Sequence, residues 1–461
     1  MAYKSQVLVT SAAISMSDHF MSYARDTAEP RSTGVARISP SLLLIALVIF
    51  LPEELSFQVF GFRLSWIRLV LFLLTPVLAV RLGQLITTGK SRLLAPDIFV
   101  VLTGAWMIGA STAVSGLEDA LHHHAAGVAE ISGSYLATRV LLSQRGQALS
   151  YVNLLCHVIA AVALFSIPDA LMGGHVTHAL LGQVDFNPES RWGIVRASGP
   201  LEHPILFGMT CTIGFLLAVA SPIRAKRLTI AACGVGSFLA LSGAPMQGAV
   251  LGLGLFAYNR IFASVRYRWW LLIATAALGY EAAGLFSSQP LAFVLGHFLF
   301  DADSFWSRVY QWNTVGPIVL NSPLVGIGVD LREKAAELSV FVIGSVDSLW
   351  LYQALTYGIP ASILLGLSMI SVIVYPASGR GVNLTGEECK LATTLGVVIA
   401  LIMLLGFTVD LWGSGWMLAG LLMGIRVHLV DLGRTASPET LMIKGQRYVG
   451  SKKDWHVVPA E

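Results

Sequence analysis

From about residue 40 to residue 430 the chain is a succession of apolar runs, and the turns between them alternate between basic and acidic. Runs of this kind can cross ~30 Å of hydrocarbon as helices. They lack the period-two alternation that barrel strands require. Only 12% of the residues are charged, against about a quarter in a soluble domain. The expected fold is therefore an all-α polytopic membrane protein.

Twelve spans are predicted, at roughly 40–60, 64–82, 96–115, 126–144, 148–168, 200–220, 228–243, 246–260, 269–286, 348–375, 391–409 and 411–429. The first, seventh and eighth are short or interrupted. Basic residues fall in every second turn: Arg81, Lys90 and Arg92; Arg145; Arg224, Lys226 and Arg227; Arg260, Arg266 and Arg268; Arg380 and Lys390. Arg25, Arg31 and Arg37 precede the first span, and Arg426, Arg434, Lys444, Arg447, Lys452 and Lys453 are assigned to the tail after the last. Glu53, Glu54, Glu118, Asp119, Asp169, Asp185 and Asp410 occupy the alternate turns. Basic loops stay cytoplasmic, so both termini are expected inside. Residues 1–38 read as a polar cytoplasmic tail without a cleaved signal peptide, residues 39–430 as the membrane domain, and 431–461 as a cytoplasmic tail.

Two exterior segments exceed the length of a turn, about 169–199 and 287–345. In the second, residues 303–323 read as a short amphipathic helix capped by Asp303 or Ser304 and stopped by Asn321-Ser322-Pro323. A turn, Val325–Gly328, and a second short helix, 331–338, follow. So apolar a segment is expected to rest on the helix ends as a lid.

Three arginines break the charge pattern: Arg191, Arg196 and Arg308 lie outside. Guanidinium groups at the hydrocarbon edge suit a phosphate ligand, because their planar fork matches phosphate oxygens. Arg196 begins the stretch RASGPLEHPILFG (196–208), in which Pro204 opens a helix and holds Glu202 and His203 at its mouth. An arginine, a carboxylate and an imidazole together can bind phosphate and move a proton; the alternative is a helix start with snorkelling polar groups. Arg308 lies between aromatics, with Tyr310 and Trp312 nearby, and reads equally as an interfacial anchor and as a phosphate ligand. Asp347, ahead of the run 348–375, reads as a helix N-cap or as a general base.

Weaker candidates are Glu130 and Glu281, carboxylates within spans, and Arg139, which reads as snorkelling. His122, His123 and His124 read as a solvated turn, since adjacent histidines seldom converge on a metal. Asp301-Ala302-Asp303 has the spacing of a glycosyltransferase metal motif, which three residues are too few to support. Cys156, Cys211, Cys233 and Cys389 suggest neither disulfide nor metal cluster. No metal, cofactor or nucleic-acid partner is expected.

Three stretches together resemble the O-antigen ligase and oligosaccharide-repeat polymerase superfamily of bacterial envelopes: RASGPLEHPILFG, SRVYQWNTVGPIVLNSPLVGIGVD (307–330) and DSLWLYQALTYGIP (347–360). The resemblance implies a GT-C-like architecture of about twelve transmembrane helices with a short-helix periplasmic lid, in the bacterial inner membrane. It implies a metal-independent inverting glycosyltransferase whose donor is a glycan on undecaprenyl diphosphate. Flippase and chain-length regulator proteins are the partners it suggests. Arg196 and Arg308 match the two functional arginines of the ligases. Where the ligases carry a histidine this chain has Asp347, which favours a polymerase of exopolysaccharide, capsule or O-antigen over a ligase acting on lipid A–core. The expected roles are Arg196, Arg308, Asp347, Glu202 and His203 in catalysis, and Arg191, Trp312 and Tyr310 in substrate binding. A transporter of lipid-linked sugars is the reading from another class; it would be expected to carry internal repeats and charges along a central path.

Overall fold

The computed structural model describes residues 37–52, 55–59, 62–180, 189–285, 302–328, 346–376, 383–435, 439–443, 446–451 and 454–458. The chain divides into Met1–Arg37 and Ile38–Glu461, and the second unit is a helical bundle. Its helices are α1 (Pro40–Val48), α2 (Trp66–Thr87), α3 (Ala95–Ser115), α4 (Leu117–Val128), α5 (Ser134–Leu141) and α6 (Gln147–Phe165). They continue with α7 (Ile167–Met172), α8 (Val176–Leu180), α9 (Pro204–Ala220), α10 (Lys226–Leu239), α11 (Gly243–Ile261) and α12 (Arg268–Gly284). The last are α13 (Ala302–Asn321), α14 (Leu349–Tyr357), α15 (Ile359–Val374), α16 (Gly386–Leu405) and α17 (Ser414–Thr435).

Among the described residues, five helical stretches are long and apolar enough to cross a membrane: Trp66–Thr87, Ala95–Ser115, Gln147–Met172, Gly386–Leu405 and Ser414–Arg434. Pro204–Ala220 and Ile359–Val374 are apolar but shorter. The ends of these helices follow from local chemistry. Ser65 caps α2 by accepting the Arg68 N–H, Pro96 enters the first turn of α3, and Thr385 and Glu388 cap α16 reciprocally. The last helix, α17, is enclosed by its neighbours: a Cβ on Gly420 would meet the Ile131 oxygen at 2.6 Å, and one on Gly424 the Tyr135 oxygen of α5 at 2.3 Å.

Several expectations change. The predicted span 40–60 is not one helix, because α1 stops at Val48 and the chain turns back as a hairpin, β1 (Ser56–Val59) with β2 (Phe62–Ser65). Pro52 interrupts the run and residues 56–65 alternate at the strand period. The histidine turn is part of α4, which a π-helical turn (Ala129–Gly133) joins to α5; there His124 is buried and bonded to the Tyr357 hydroxyl at 2.7 Å.

The span 348–375 is broken at Gly358, whose φ is +85°. Residues 350 and 362 would lie about 18 Å apart in one straight helix, yet the Ser362 hydroxyl donates to the Trp350 carbonyl at 2.7 Å. Helices α14 and α15 therefore fold back on each other. The bend holds a second segment in place: Ile327 and Gly328 donate to the free carbonyls of Leu355 and Thr356, and Ile359 donates to Pro323. A Cβ on Gly326 would meet Thr356 at 2.5 Å, and one on Gly358 would meet the Leu324 oxygen at 2.0 Å.

Arg139 does not snorkel. It is buried, with Nε on Asp97 at 3.1 Å, Nη1 on Asp431 at 3.0 Å and Nη2 on the Arg92 carbonyl at 2.9 Å. Glu130 is likewise paired, to Arg68 of α2 at 2.7 Å. Arg426 is not in a tail but buried in α17, donating to the Ile373 and Tyr375 carbonyls. Glu281 is exposed on α12. Beyond α17 the chain forms an antiparallel three-stranded meander of β5 (Glu439–Ile443), β6 (Gln446–Ser451) and β7 (Asp454–Val458). Residues 331–338, Glu53, Glu54, Asp185, Asp301, Arg380 and the side chains of Asp303 and Ser304 lie outside the described residues.

Contacts sort the turns to two ends. Arg92 with Asp431, Arg145 with Asn383, and Asn383 with Gly433 meet at one, the basic end. The starts of α9 and α14 and the turn between α16 and α17 meet at the other.

Candidate functional site

The stretch 196–199 is fixed residue by residue. Arg196 N–H donates to the Glu189 carbonyl and Ala197 N–H to the Leu239 carbonyl. Ser198 and Gly199 N–H both donate to Asp169 Oδ2, at 3.2 and 2.7 Å. Gly199 has φ +56°, and a Cβ there would overlap the Ser166 hydroxyl. Upstream, Ser190–Arg191 pairs with Ile194–Val195 through a two-residue turn, Trp192-Gly193, in which both φ angles are positive. The hairpin puts Arg191 within reach of the Leu241 carbonyl, at 3.2 Å.

Arg196 is buried with Nε on the Ala240 carbonyl at 3.1 Å and Nη1 on the Glu189 carboxylate. Its Nη2 is buried with no hydrogen-bond partner among the described residues. Burial lowers its pKa, opposed by Glu189 and reinforced by the charge of Arg191. Two cations and one exposed carboxylate at this edge leave room for an anionic ligand.

His203 is the N-cap of α9, its Nδ1 accepting the Ile205 N–H at 3.1 Å. A neutral imidazole has one acceptor nitrogen, so the proton sits on Nε2. The ring meets the Trp412 ring edge-on with centroids 5.7 Å apart. Burial lowers the His203 pKa, as does the charge of Arg196, while Glu189 and Asp347 oppose them. Glu202 is part-buried beside it.

The other half of the site hangs on the turn Gly406–Gly413. The Thr408 carbonyl accepts Arg308 Nε at 2.8 Å, the Phe407 carbonyl accepts Trp312 Nε1 at 3.3 Å, and the Val409 carbonyl accepts the Leu349 N–H at 3.2 Å. Arg308, Gln311, Val315 and Val319 are buried along one face of α13, as helical spacing requires. Tyr310 is half-exposed off that face, so the structure does not bring it to the others. Asp347 is not the cap of α14. That role belongs to Ser348, which accepts the Leu351 N–H. Asp347 instead donates its own N–H to Gln311 Oε1 at 3.0 Å.

No protein-family model matches the chain, and no curated protein matches it. The arrangement itself therefore carries the functional argument. It brings Arg196, His203 and Asp347 into one electrostatic neighbourhood, with Arg308 anchored beside it on the turn that contains Asp410.

Sequence reasoning passed over four residues. Asp169 holds the loop of Arg196, Glu189 pairs with it, Gln311 fixes the Asp347 backbone, and Asp410 lies near Asp347. Burial and the charge of Asp347 push the Asp410 carboxyl up to about 8, against the pull of the Leu411 N–H. The available signal was a lone carboxylate between two apolar runs, two residues from Trp412. Ser198, His175 and Asp169 also adjoin, but His175 meets both through Nδ1, at 2.7 and 3.8 Å. A relay needs the two ring nitrogens on different partners, so the trio is a structural knot.

Proposed function

We propose that the chain is a membrane glycosyltransferase that polymerises oligosaccharide repeat units carried on undecaprenyl diphosphate. The observation that carries this reading is a carboxylate, Asp347, that does not cap α14 but is tied to the α13 face of Arg308 and shares the surroundings of His203 with Arg196 at one end of the bundle. Arg196 and Arg308, with Arg191, grip the diphosphate and neutralise the charge that develops as it departs. Asp347 takes the proton of the attacking hydroxyl on the acceptor glycan. His203 is the weaker base, because its only lone pair is already given to Ile205. Glu202 orients the acceptor. Trp312 and the α13 face shield the anomeric centre from water.

In this reading the basic end faces the cytoplasm, both termini lie there, and the site opens to the periplasm of a bacterial inner membrane. Of the twelve crossings expected from the sequence, the first and the tenth are not made by one helix, so the orientation rests on the charge phase of the rest. Residues 302–328 form the described part of the lid.

The test uses purified protein in lipid with a polyprenyl-diphosphate-linked oligosaccharide and no other acceptor. A ladder spaced by one repeat unit is the expected result. Transfer that needs added lipid A–core would make the protein a ligase. Failure of both with a matching glycan would point to transport.

A further inference from the structure

The turn Gly406–Gly413 touches α13, the start of α14 and His203 at the mouth of α9. Its carbonyls hold Arg308, Trp312 and Leu349, the Gly406 carbonyl also takes the Ser348 hydroxyl at 3.1 Å, and the Trp412 ring packs on His203. A turn that spends four carbonyls on two neighbouring elements and packs a ring on a third has little freedom left. Asp410 is the carboxyl it presents, part-buried and in the field of Asp347. Asp347 is held at the same place by its N–H bond to Gln311.

We propose that Asp410 is the proton-bearing partner of Asp347, and that the two carboxyl groups act as one acid–base pair in the transfer step. This rests on the glycosyltransferase reading above. The Val409 carbonyl on the Leu349 N–H at 3.2 Å and the Gly406 carbonyl on the Ser348 hydroxyl at 3.1 Å join the backbone beside Asp410 to the backbone beside Asp347. Two carboxylates brought together there repel each other when both ionise, and a bound diphosphate adds to it. A proton kept on Asp410 removes one negative charge, and Asp347 is the member of the pair that accepts. In the step, the acceptor oxygen forms the new bond to the anomeric carbon. The bond from that carbon to the diphosphate oxygen breaks, and its electron pair leaves on the diphosphate. The acceptor O–H proton passes to Asp347, and the pair then releases one proton to water. Asp410 acts through Asp347 and is a positioning residue.

The groups facing Asp410 set the sign of its pH dependence. Asp347 ahead of α14, and Tyr352 and Tyr357 on α14, share its field. Arg308 of α13 is bonded two residues away at Thr408, and His203 at the mouth of α9 lies against Trp412. Ionisation of Asp410 adds negative charge beside Asp347 and the donor, so activity declines as pH rises.

Two measurements test this on the full-length protein in lipid. The first is an infrared pH titration without substrate. A protonated-carboxyl band that persists well above the ordinary carboxylate range in the wild type and is missing in Asp410→Asn is the expected result. Identical spectra for the two proteins would overturn the proposal, whether or not transfer is ever observed. The second is the pH profile of glycan transfer. Wild type is expected to lose activity on the alkaline side by about tenfold per pH unit. Asp410→Asn, a neutral mimic of the protonated acid, should retain measurable transfer at pH 7 with no alkaline decline. Persistence of that decline in Asp410→Asn would overturn the proposal. If the wild type transfers no glycan at all while the infrared band is present, the glycosyltransferase reading fails and the proton-bearing pair stands.

Discussion

Asp347 donates its backbone N–H to the Oε1 of Gln311 across 3.0 Å, which ties the carboxylate ahead of α14 to the same face of α13 that carries Arg308. Neither residue is positioned by its own helix alone. Gln311→Ala removes the acceptor and leaves a part-buried N–H unpaired, at a cost of about 1–3 kcal/mol. Glycan transfer should fall by roughly tenfold with expression and melting temperature little changed. Wild-type turnover in Gln311→Ala would detach α13 from the placement of Asp347.

Arg308 places Nε on the Thr408 carbonyl at 2.8 Å, which fixes the plane of its guanidinium. Lysine keeps the charge but supplies a single point donor. Arg308→Lys is therefore expected to lose transfer by about a hundredfold, some 2.7 kcal/mol of transition-state binding. Near-normal product from well-expressed Arg308→Lys would make the side chain an anchor.

Gly326 and Gly358 are each required by the other's segment. Both have positive φ, and a Cβ on either would enter the opposing backbone at 2.5 and 2.0 Å. Gly326→Ala and Gly358→Ala should each cost several kcal/mol by forcing the segments apart. Gly279→Ala on exposed α12 is the control, since its Cβ meets nothing within 4 Å. Thermal melts in lipid or detergent should separate the two loop variants from the control. Equal melting of all three would refute the mutual fit.

How much of this was legible in the sequence varies with the range of the forces involved. Helix α3 was expected over 96–115 and spans Ala95–Ser115, because Pro96, the apolar run and Gly116 are all local signals. Helix α13 was expected from 303 and spans Ala302–Asn321 for the same reason. The bend at Gly358 was not legible: the glycine was visible, but its fold-back depends on Ser362 meeting Trp350 and on a segment some thirty residues earlier. Asp347 and Ser348 were equally eligible caps by composition, and only the backbone angles choose Ser348. Arg139 looked like a lone cation because Asp97 and Asp431 lie 42 and 292 positions away.

That buried cluster gives a stability prediction. Tyr135 hydroxyl also donates to Asp97 at 2.5 Å, and the Ser91 hydroxyl to Asp431 at 2.6 Å, so every carboxylate is satisfied around one guanidinium. Arg139→Met leaves two buried carboxylates without their counter-charge, which costs about 3–5 kcal/mol. Adding Asp97→Asn and Asp431→Asn should recover much of the loss. Melting temperature in lipid is the readout. A triple variant no more stable than Arg139→Met would show that the pairing is not what fails.

His203 gives the acid-side prediction. Its folded pKa is depressed by burial and by Arg196, so the unfolded chain binds the proton more readily. The stability it contributes is present above the unfolded value of about 6.5 and is lost as pH falls through the lower folded value. Protonation also converts Nδ1 from acceptor to donor and breaks the cap on Ile205. Asparagine is a strong cap that does not titrate. His203→Asn should therefore match wild type near pH 8 and exceed it in melting temperature near pH 5, by an amount corresponding to about 1 kcal/mol. Parallel melting curves for the two proteins across that range would remove His203 from the acid response and leave Asp169 and its loop as the place to look.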